Sequence, residues 1–375
     1  VANLGLLDSG VEPRFDAITR SAAELTGVPM AAINFFDDRR QFSKSFAGLD
    51  GAGQSTPIED TICKVTVRTA RPVVVDDLAA DSRFNDLPSV VGDLRLRAYA
   101  GMPVKGPTGE VVGSLCVLDT VPHAFTERDR RVLRNLADWV ERELLVDQEL
   151  ESAAHVQRAL LPRAPLRLPG FDIAGGCRPA HAVGGDFFDW CQVDGGAQIT
   201  VGDVMGKGVG AAILAASVRA FLRGSRRLDA AAAVKSTAVA LLEDLDEAGS
   251  FVTLFHMRLG EDGSVSFVDA GHGLARIVRA DGRLEKLTST DRPIGILPED
   301  DWTAQTVELQ AGDTLLIASD GILDRVSEGP AADEELVRTV AGAADAQAII
   351  DHYLSMAVAG GAGLDDTTQV VVRRI

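Results

Sequence analysis

Apolar residues at Phe15, Ile18, Ala22 and Leu25 recur at helical spacing and stop at Gly27-Val28-Pro29, which predicts a helix near the start of the chain. Short apolar runs at 31–36, 73–76, 98–104 and 111–118 follow. Turn residues such as Gly106-Pro107-Thr108-Gly109 separate them, so they predict a sheet flanked by helices. From Thr126, with Glu127 and Asp129 in the first turn, neither Gly nor Pro intervenes before Pro162. This predicts one helix of about 35 residues, roughly 50 Å long. Leu133, Leu136, Val140 and Leu144 form one apolar stripe on it, and Leu150, Ala153, Gln157 and Leu160 form another, with Asp147 interrupting the seam. A helix of this length is expected to connect two domains and to pair with a second copy of itself.

Beyond Pro162 the rhythm changes to many short strand-like runs, at 171–177, 198–204, 251–259, 265–270, 275–279, 314–319 and 369–373. Helical stretches are expected at 208–223, 230–246 and 336–356. The fold class is α+β, a strand-rich sandwich covered by helices. The 375 residues suit two domains at about 150 residues each plus a connecting element.

Hydrophobic residues make up 46% and charged residues 25%, so the chain can bury a sizeable core. A net charge of −18 disfavours nucleic acid and anionic lipid as partners and favours cation binding. The longest nearly apolar stretch, 209–218, is about half a bilayer span, and no basic-then-apolar signal opens the chain, so a cytoplasmic location without membrane contact is expected. The chain starts at Val1 rather than Met, so a preceding segment is expected. Cys63, Cys116, Cys177 and Cys191 show neither C-x-x-C spacing nor disulfide density, and are expected to be reduced and mostly buried.

Candidate chemistry lies in the second half, in four acidic clusters beside turns or strand ends: Gly184-Gly185-Asp186-Phe187-Phe188-Asp189, Gly202-Asp203-Val204-Met205-Gly206-Lys207-Gly208, Ser319-Asp320-Gly321 and Leu364-Asp365-Asp366-Thr367. Hard divalent cations take carboxylate oxygens, and aspartates at strand ends from distant segments are how a two-metal site is assembled. Any one Asp-Gly pair is only a turn signal. Gly184-Gly185-Asp186-Phe187-Phe188 lacks the acidic fourth position of a diguanylate cyclase loop, and Gly206-Lys207-Gly208 lacks the hydroxyl residue of a P-loop.

Together with Ala270-Gly271-His272-Gly273 and Pro293-Ile294-Gly295-Ile296, these clusters resemble, in order and spacing, the motifs of the metal-dependent (PPM) serine/threonine protein phosphatases, in their SpoIIE-type branch. Val156-Gln157-Arg158-Ala159-Leu160-Leu161-Pro162 is similar to that branch's helical lead-in. The resemblance implies a β-sandwich flanked by helices that binds two Mn²⁺ or Mg²⁺ ions at one edge. Asp203 would bridge both ions and the Val204 carbonyl would help hold one. Asp186 would lie on one side, Asp320 and Asp365 on the other, and a water activated between the ions would attack phosphorus. Asp189, Asp366 and Asp324 are weaker candidates for a further ion. The eukaryotic members place a histidine where Met205 stands, and a thioether donates no proton. Lys207 is read as a solvated loop lysine and His272 as a residue that fixes its turn.

Asp76-Asp77-Leu78, Asp81-Ser82-Arg83-Phe84, residues 97–104 and Gly113-Ser114-Leu115-Cys116-Val117-Leu118-Asp119 resemble a GAF sensor domain. The Phe-x3-Asp-Glu element of cyclic-nucleotide binders fails at Arg130, and Cys63 and Cys116 are read as structural thiols. The expected organisation is a GAF domain over residues 1–145 with an unknown ligand, a helical linker over 126–162 and a phosphatase domain over 163–375. The expected activity is signal-regulated hydrolysis of phosphoserine or phosphothreonine on a protein, which the resemblance implies is a STAS-domain anti-sigma-factor antagonist. A homodimer through the GAF domain and linker helix is expected. The alternatives are a non-catalytic phosphoprotein-binding regulator of the same fold and a phosphatase of small molecules.

Overall fold

The computed structural model describes residues 6–49, 51–288, 291–323, 329–359 and 365–375. The chain divides into two compact units, Val1–Glu149 and Leu150–Ile375.

In the first unit α1 (Pro13–Thr26) starts on a proline, which has no N–H to leave unpaired, and ends at Gly27, whose φ of 71° lets its N–H turn back to the Ala23 carbonyl at 2.9 Å. The following elements are β1 (Met30–Phe36), β2 (Arg40–Ala47), β3 (Ser55–Pro57), α2 (Cys63–Thr69), β4 (Val73–Val75), α3 (Pro88–Val91), β5 (Ala98–Lys105) and β6 (Val111–Asp119). The strands form an antiparallel sheet in the order β3-β2-β1-β6-β5-β4. Every residue of β1 is buried, because the sheet is covered on both faces, and this explains why its residues are apolar apart from Asn34.

The helix α4 (Glu127–Leu160) opens on a reciprocal cap in which Thr126 N–H donates to Asp129 Oδ2 at 2.9 Å and Asp129 N–H to Thr126 Oγ1 at 3.2 Å. Its stripe of Leu133, Leu136, Val140 and Leu144 is buried with Phe15, Ile18, Ile33 and Leu115 in the core of the first unit. That stripe therefore serves its own sheet and is not a free seam for a second copy. Asp147 meets Arg14 of α1 in a two-point contact, both distances 2.7 Å, so the break in the seam is an anchor to α1. The unit boundary falls within α4, between Glu149 and Leu150.

The second unit contains β7 (Phe171–Arg178), β8 (Phe187–Val193), β9 (Gly196–Val204), α5 (Val209–Gly224), α6 (Ala230–Ala248), β10 (Val252–Gly260), β11 (Ser264–Ala270), β12 (Ala275–Val278), β13 (Leu284–Leu287), β14 (Gln305–Glu308), β15 (Thr314–Ala318), α7 (Pro330–Gly342), α8 (Ala346–Ala359) and β16 (Thr367–Arg374). Two antiparallel sheets, β14-β11-β10-β9-β8 and β13-β12-β15-β16-β7, enclose a core that includes Phe188, Val201, Phe255, Phe267, Ile317 and Val370. α5 and α6 cover the first sheet through Val218, Leu222, Val234 and Leu241, while α7 and α8 cover the second through Val340, Ile349 and Tyr353. The helical stretch expected at 336–356 is divided between two helices. The chain leaves helical geometry at Ala343, and Asp345 caps the second helix by accepting from Ala348 N–H at 2.8 Å.

Candidate metal centre

The sandwich brings four strand ends to one rim. β8 and β9 pair with Phe187 opposite Gly202, which sets Asp186 across from Asp203, and β10 flanks the latter through the pair Thr253–Asp203. From the other sheet, β15 delivers Ser319 and a 3-10 turn, Asp320–Ile322, while β16 begins just after Asp365 and Asp366. The two deliveries are tied together, since Ser319 N–H donates to the Thr368 carbonyl at 2.9 Å and Thr368 N–H to Ser319 Oγ at 2.9 Å.

Ser319 links the sheets chemically as well: its hydroxyl donates to Asp186 Oδ2 at 2.6 Å. Asp366 holds the opposing loop, accepting from Ala180 N–H at 2.8 Å and Asp186 N–H at 3.4 Å. Gln157, in the last turn of α4, grips the backbone of Gly184 from the other side. Glycine is obligatory here. A Cβ on Gly184 would lie 1.8 Å from Asp366 Oδ2, and one on Gly185 would lie 2.3 Å from the Val204 carbonyl oxygen and 3.3 Å from Asp203 Oδ1. The carbonyl of Val204 and the carboxylate of Asp203 thus face the same spot beside Gly185.

Electrostatically the rim is a concentration of like charge. Burial, and then the negative charges of Asp320, Asp365 and Asp366, push Asp203 up to about 6. Asp186, 3% exposed, is raised well above the usual carboxylate range by burial and then by Asp203. Lys207 Nζ approaches Asp365 Oδ1 at 3.7 Å, while both side chains stay about half exposed. Hard oxygen donors, mutual repulsion and a carbonyl beside a carboxylate fit a divalent cation. Among the described residues no group of three or more His, Cys, Asp and Glu side chains is close enough to hold an ion as it stands, so the ligands would have to draw together around one.

Asp186, Asp203, Val204, Asp320, Asp365 and Asp366 therefore share one rim. Asp189, a weaker candidate in the sequence, does not join it: both its oxygens meet Arg223, at 2.7 and 2.8 Å, and Arg219 lies 3.5 Å away, so it anchors α5 to β8. Asp324 lies outside the described residues. His272 is buried, and burial pushes it down to about 4; its backbone N–H donates to Asp269 Oδ1 at 2.7 Å, and its ring Nδ1 lies 3.4 Å from Thr253 Oγ1. Gln157 is read from the sequence as part of a helical stripe and Ser319 only as the neighbour of Asp320; in the structure Gln157 instead holds Gly184 and Ser319 holds Asp186, although the pair Gly184-Gly185 marks a backbone under close approach.

Residues 193–375 match the family model described as Stage II sporulation protein E (SpoIIE), and residues 11–144 match the GAF domain. The first match takes in Asp203, Asp320 and Asp365 and starts after Asp186. The chain is 36% identical over 141 residues to a cyclic di-GMP phosphodiesterase, PA2567, of Pseudomonas aeruginosa, covering 37% of this chain and 24% of that protein. It is 24% identical over 183 residues to phosphoserine phosphatase RsbU of Bacillus subtilis, covering 48% of this chain and 54% of that one. The chain therefore spans between about a quarter and about half of these relatives. Among solved structures, the SiaA-PP2C domain of Pseudomonas aeruginosa superposes with a TM-score of 0.52 at 22% identity, over 61% of this chain and 97% of that one, a likeness of fold.

Proposed function

We propose that this chain, a GAF domain followed by a SpoIIE-type domain of the PPM phosphatase family, hydrolyses phosphoserine or phosphothreonine on a protein partner, with divalent cations at the carboxylate rim. The observation that carries the reading is the meeting of Asp186 and Asp203 across β8 and β9 with Asp320, Asp365 and Asp366 from the facing sheet. Asp186, Asp203, Asp320 and Asp365, with the Val204 carbonyl, would hold two Mn²⁺ or Mg²⁺ ions. Bound there, the ions would lower the pKa of a water and neutralise charge on the phosphoryl group.

The chain's own part is positioning. Ser319 fixes the Asp186 carboxylate, and Asp366 and Gln157 fix the loop that carries it. Met205, 42% exposed beside the rim, has no proton to give, and His272 is buried and neutral above about pH 4, so neither supplies the leaving-group proton. A phosphorylated STAS-domain anti-sigma-factor antagonist is the partner proposed, in a sigma-factor or stress-response pathway, with the GAF domain as the sensing part. Trp139, Leu145 and Val146 are exposed on α4, which supports a homodimer through that helix, checkable by light scattering.

The test is phosphate release from p-nitrophenyl phosphate and then from a phosphorylated STAS protein, with Mn²⁺ and with chelator, for wild type and Asp203→Ala. Release that needs Mn²⁺ and is lost in the variant is expected. Release that ignores both chelator and substitution would overturn the reading. Binding of the phosphoprotein without turnover, at full metal loading, would favour a non-catalytic regulator.

A further inference from the structure

The first unit contains a thiol pair that phosphatase chemistry does not use. Cys63, on α2, and Cys116, on β6, place their sulfurs 3.7 Å apart, and the side chains are buried at 5% and 1% exposure. Asn34 on β1 addresses both: its Nδ2 lies 3.6 Å from Cys63 Sγ and 3.5 Å from Cys116 Sγ. The amide is held in that sense because Ser43 Oγ donates to Asn34 Oδ1 at 2.8 Å. Both cysteines line a cavity of about 340 Å³ whose wall includes the exposed residues Leu49, Gln54 and Leu94, so the sulfurs are buried yet open to a small solute.

We propose that Cys63 and Cys116 are a peroxide-oxidisable dithiol, in which a hydroperoxide entering the cavity oxidises Cys63 and Cys116 resolves it to a disulfide within the chain. The Cys63 thiolate attacks the peroxide O–O bond; an S–O bond forms, the O–O bond breaks, and the departing oxygen takes a proton to leave as water or an alcohol. Cys116 sulfur then attacks the Cys63 sulfenic sulfur, forming the S–S bond and expelling hydroxide, which takes the Cys116 proton and leaves as water. Two thiols give up two electrons, and the hydroperoxide accepts them.

The contact between the two sulfurs lowers the Cys63 thiol and raises that of Cys116, and Cys63 is taken as the attacker; the peptide that carries the first sulfenic acid decides between the two. Burial raises both Cys177 and Cys191 instead. The separation of 3.7 Å is a contact between thiols, and a bond of about 2.0 Å draws α2 toward β6 across the cavity.

The experiment treats the reduced, full chain with hydrogen peroxide, quenches it, and alkylates it in denaturant. The expected result is loss of two of the four alkylatable thiols, a Cys63–Cys116 linked peptide, and recovery with dithiothreitol. Cys116→Ala is expected to stop at a dimedone-trapped sulfenic acid on Cys63, and Cys63→Ala to give neither product. Cys63 should react at least about tenfold faster than Cys177 or Cys191. Retention of all four thiols, a link between chains, or first reaction at Cys177 or Cys191 would overturn the proposal. Should either variant fail to fold by circular dichroism, the wild-type peptide map decides alone.

Discussion

Gln157 holds the backbone of Gly184 at two points, its amide nitrogen donating to the carbonyl at 2.6 Å and its oxygen accepting from the N–H at 3.2 Å. The pair acts as a one-residue strand partner, so the last turn of α4 sets the loop that carries Asp186. Removing the side chain leaves two backbone groups without this partner, a cost of about 1–2 kcal/mol. Gln157→Ala is expected to raise the Mn²⁺ concentration for half-maximal phosphate release about tenfold, with an unchanged circular dichroism spectrum. Gln157→Glu sets a carboxylate against the Gly184 carbonyl and should be at least as damaging. An unaltered Mn²⁺ requirement in both would show that the loop is held without Gln157.

Gly184 also borders Asp366, and the space it leaves is already taken. A methyl group there would meet Asp366 Oδ2 at 1.8 Å and push the carboxylate off Ala180 N–H and Asp186 N–H. Gly184→Ala is expected to lose about 1–3 kcal/mol in urea unfolding and phosphate release by more than about a hundredfold. Gly210, with open space at its Cβ position, is the control: Gly210→Ala should leave both measurements near wild type.

The helices α1, α4, α5 and α6 and strands such as β1, β9 and β10 were legible in the sequence because their patterns are set by burial, whereas the short α2 and α3 were not. β1 and β9 are largely buried strands rich in apolar residues, and Asp229 caps α6 by accepting from Ala232 N–H at 2.8 Å. β2 was not legible: its polar positions include Lys44, which is fully buried and binds Ser9 Oγ and the Gly10 carbonyl, both at 2.6 Å, and Glu12 at 2.5 Å. Only tertiary structure supplies partners that distant. β8 was hidden because its start lies within an acidic cluster that reads as a turn. In the site, the carboxylates stood out by residue type and, for Asp186, Asp203 and Asp320, by glycine neighbours, whereas Asp189, flanked by Phe188 and Trp190, could be ranked lower but not removed on sequence alone. Its different fate depends on Arg219 and Arg223, one helix away. Asp147 reads in sequence only as a break in the apolar seam, because its partner Arg14 is 133 residues away.

The carboxylate rim makes the cation-free second unit less stable than it could be. Asp203 is raised by burial and by three neighbouring carboxylates, so replacing it with a neutral isostere relieves repulsion. Asp203→Asn is expected to melt above wild type in chelator by a few degrees, on the order of 1 kcal/mol. The order should reverse in excess Mn²⁺, which stabilises wild type by mass action and the variant much less. Calorimetry with EDTA and with Mn²⁺ reads both. A variant that gains as much as wild type from Mn²⁺ would remove Asp203 from the ligand set.

His256 gives the fold an acid-sensitive element away from the rim carboxylates. It is fully buried on β10; burial pushes it down to about 3, and its Nδ1 lies 2.7 Å from Thr200 Oγ1. In the unfolded chain the imidazole titrates near 6.5. Below that pH the unfolded state binds a proton that the folded state refuses. The contribution is therefore fully present above about pH 6.5 and is lost as pH falls toward 3, at up to about 1.4 kcal/mol per unit. His272, pushed down to about 4, acts with the same sign. Urea unfolding at about pH 7, 6 and 5 should show wild type losing stability faster than His256→Asn, by about 1 kcal/mol over the lower step. Asn at this site has its own packing cost, so the slope rather than the absolute stability is diagnostic. Parallel slopes for the two proteins would mean that His256 is already protonated in the folded state.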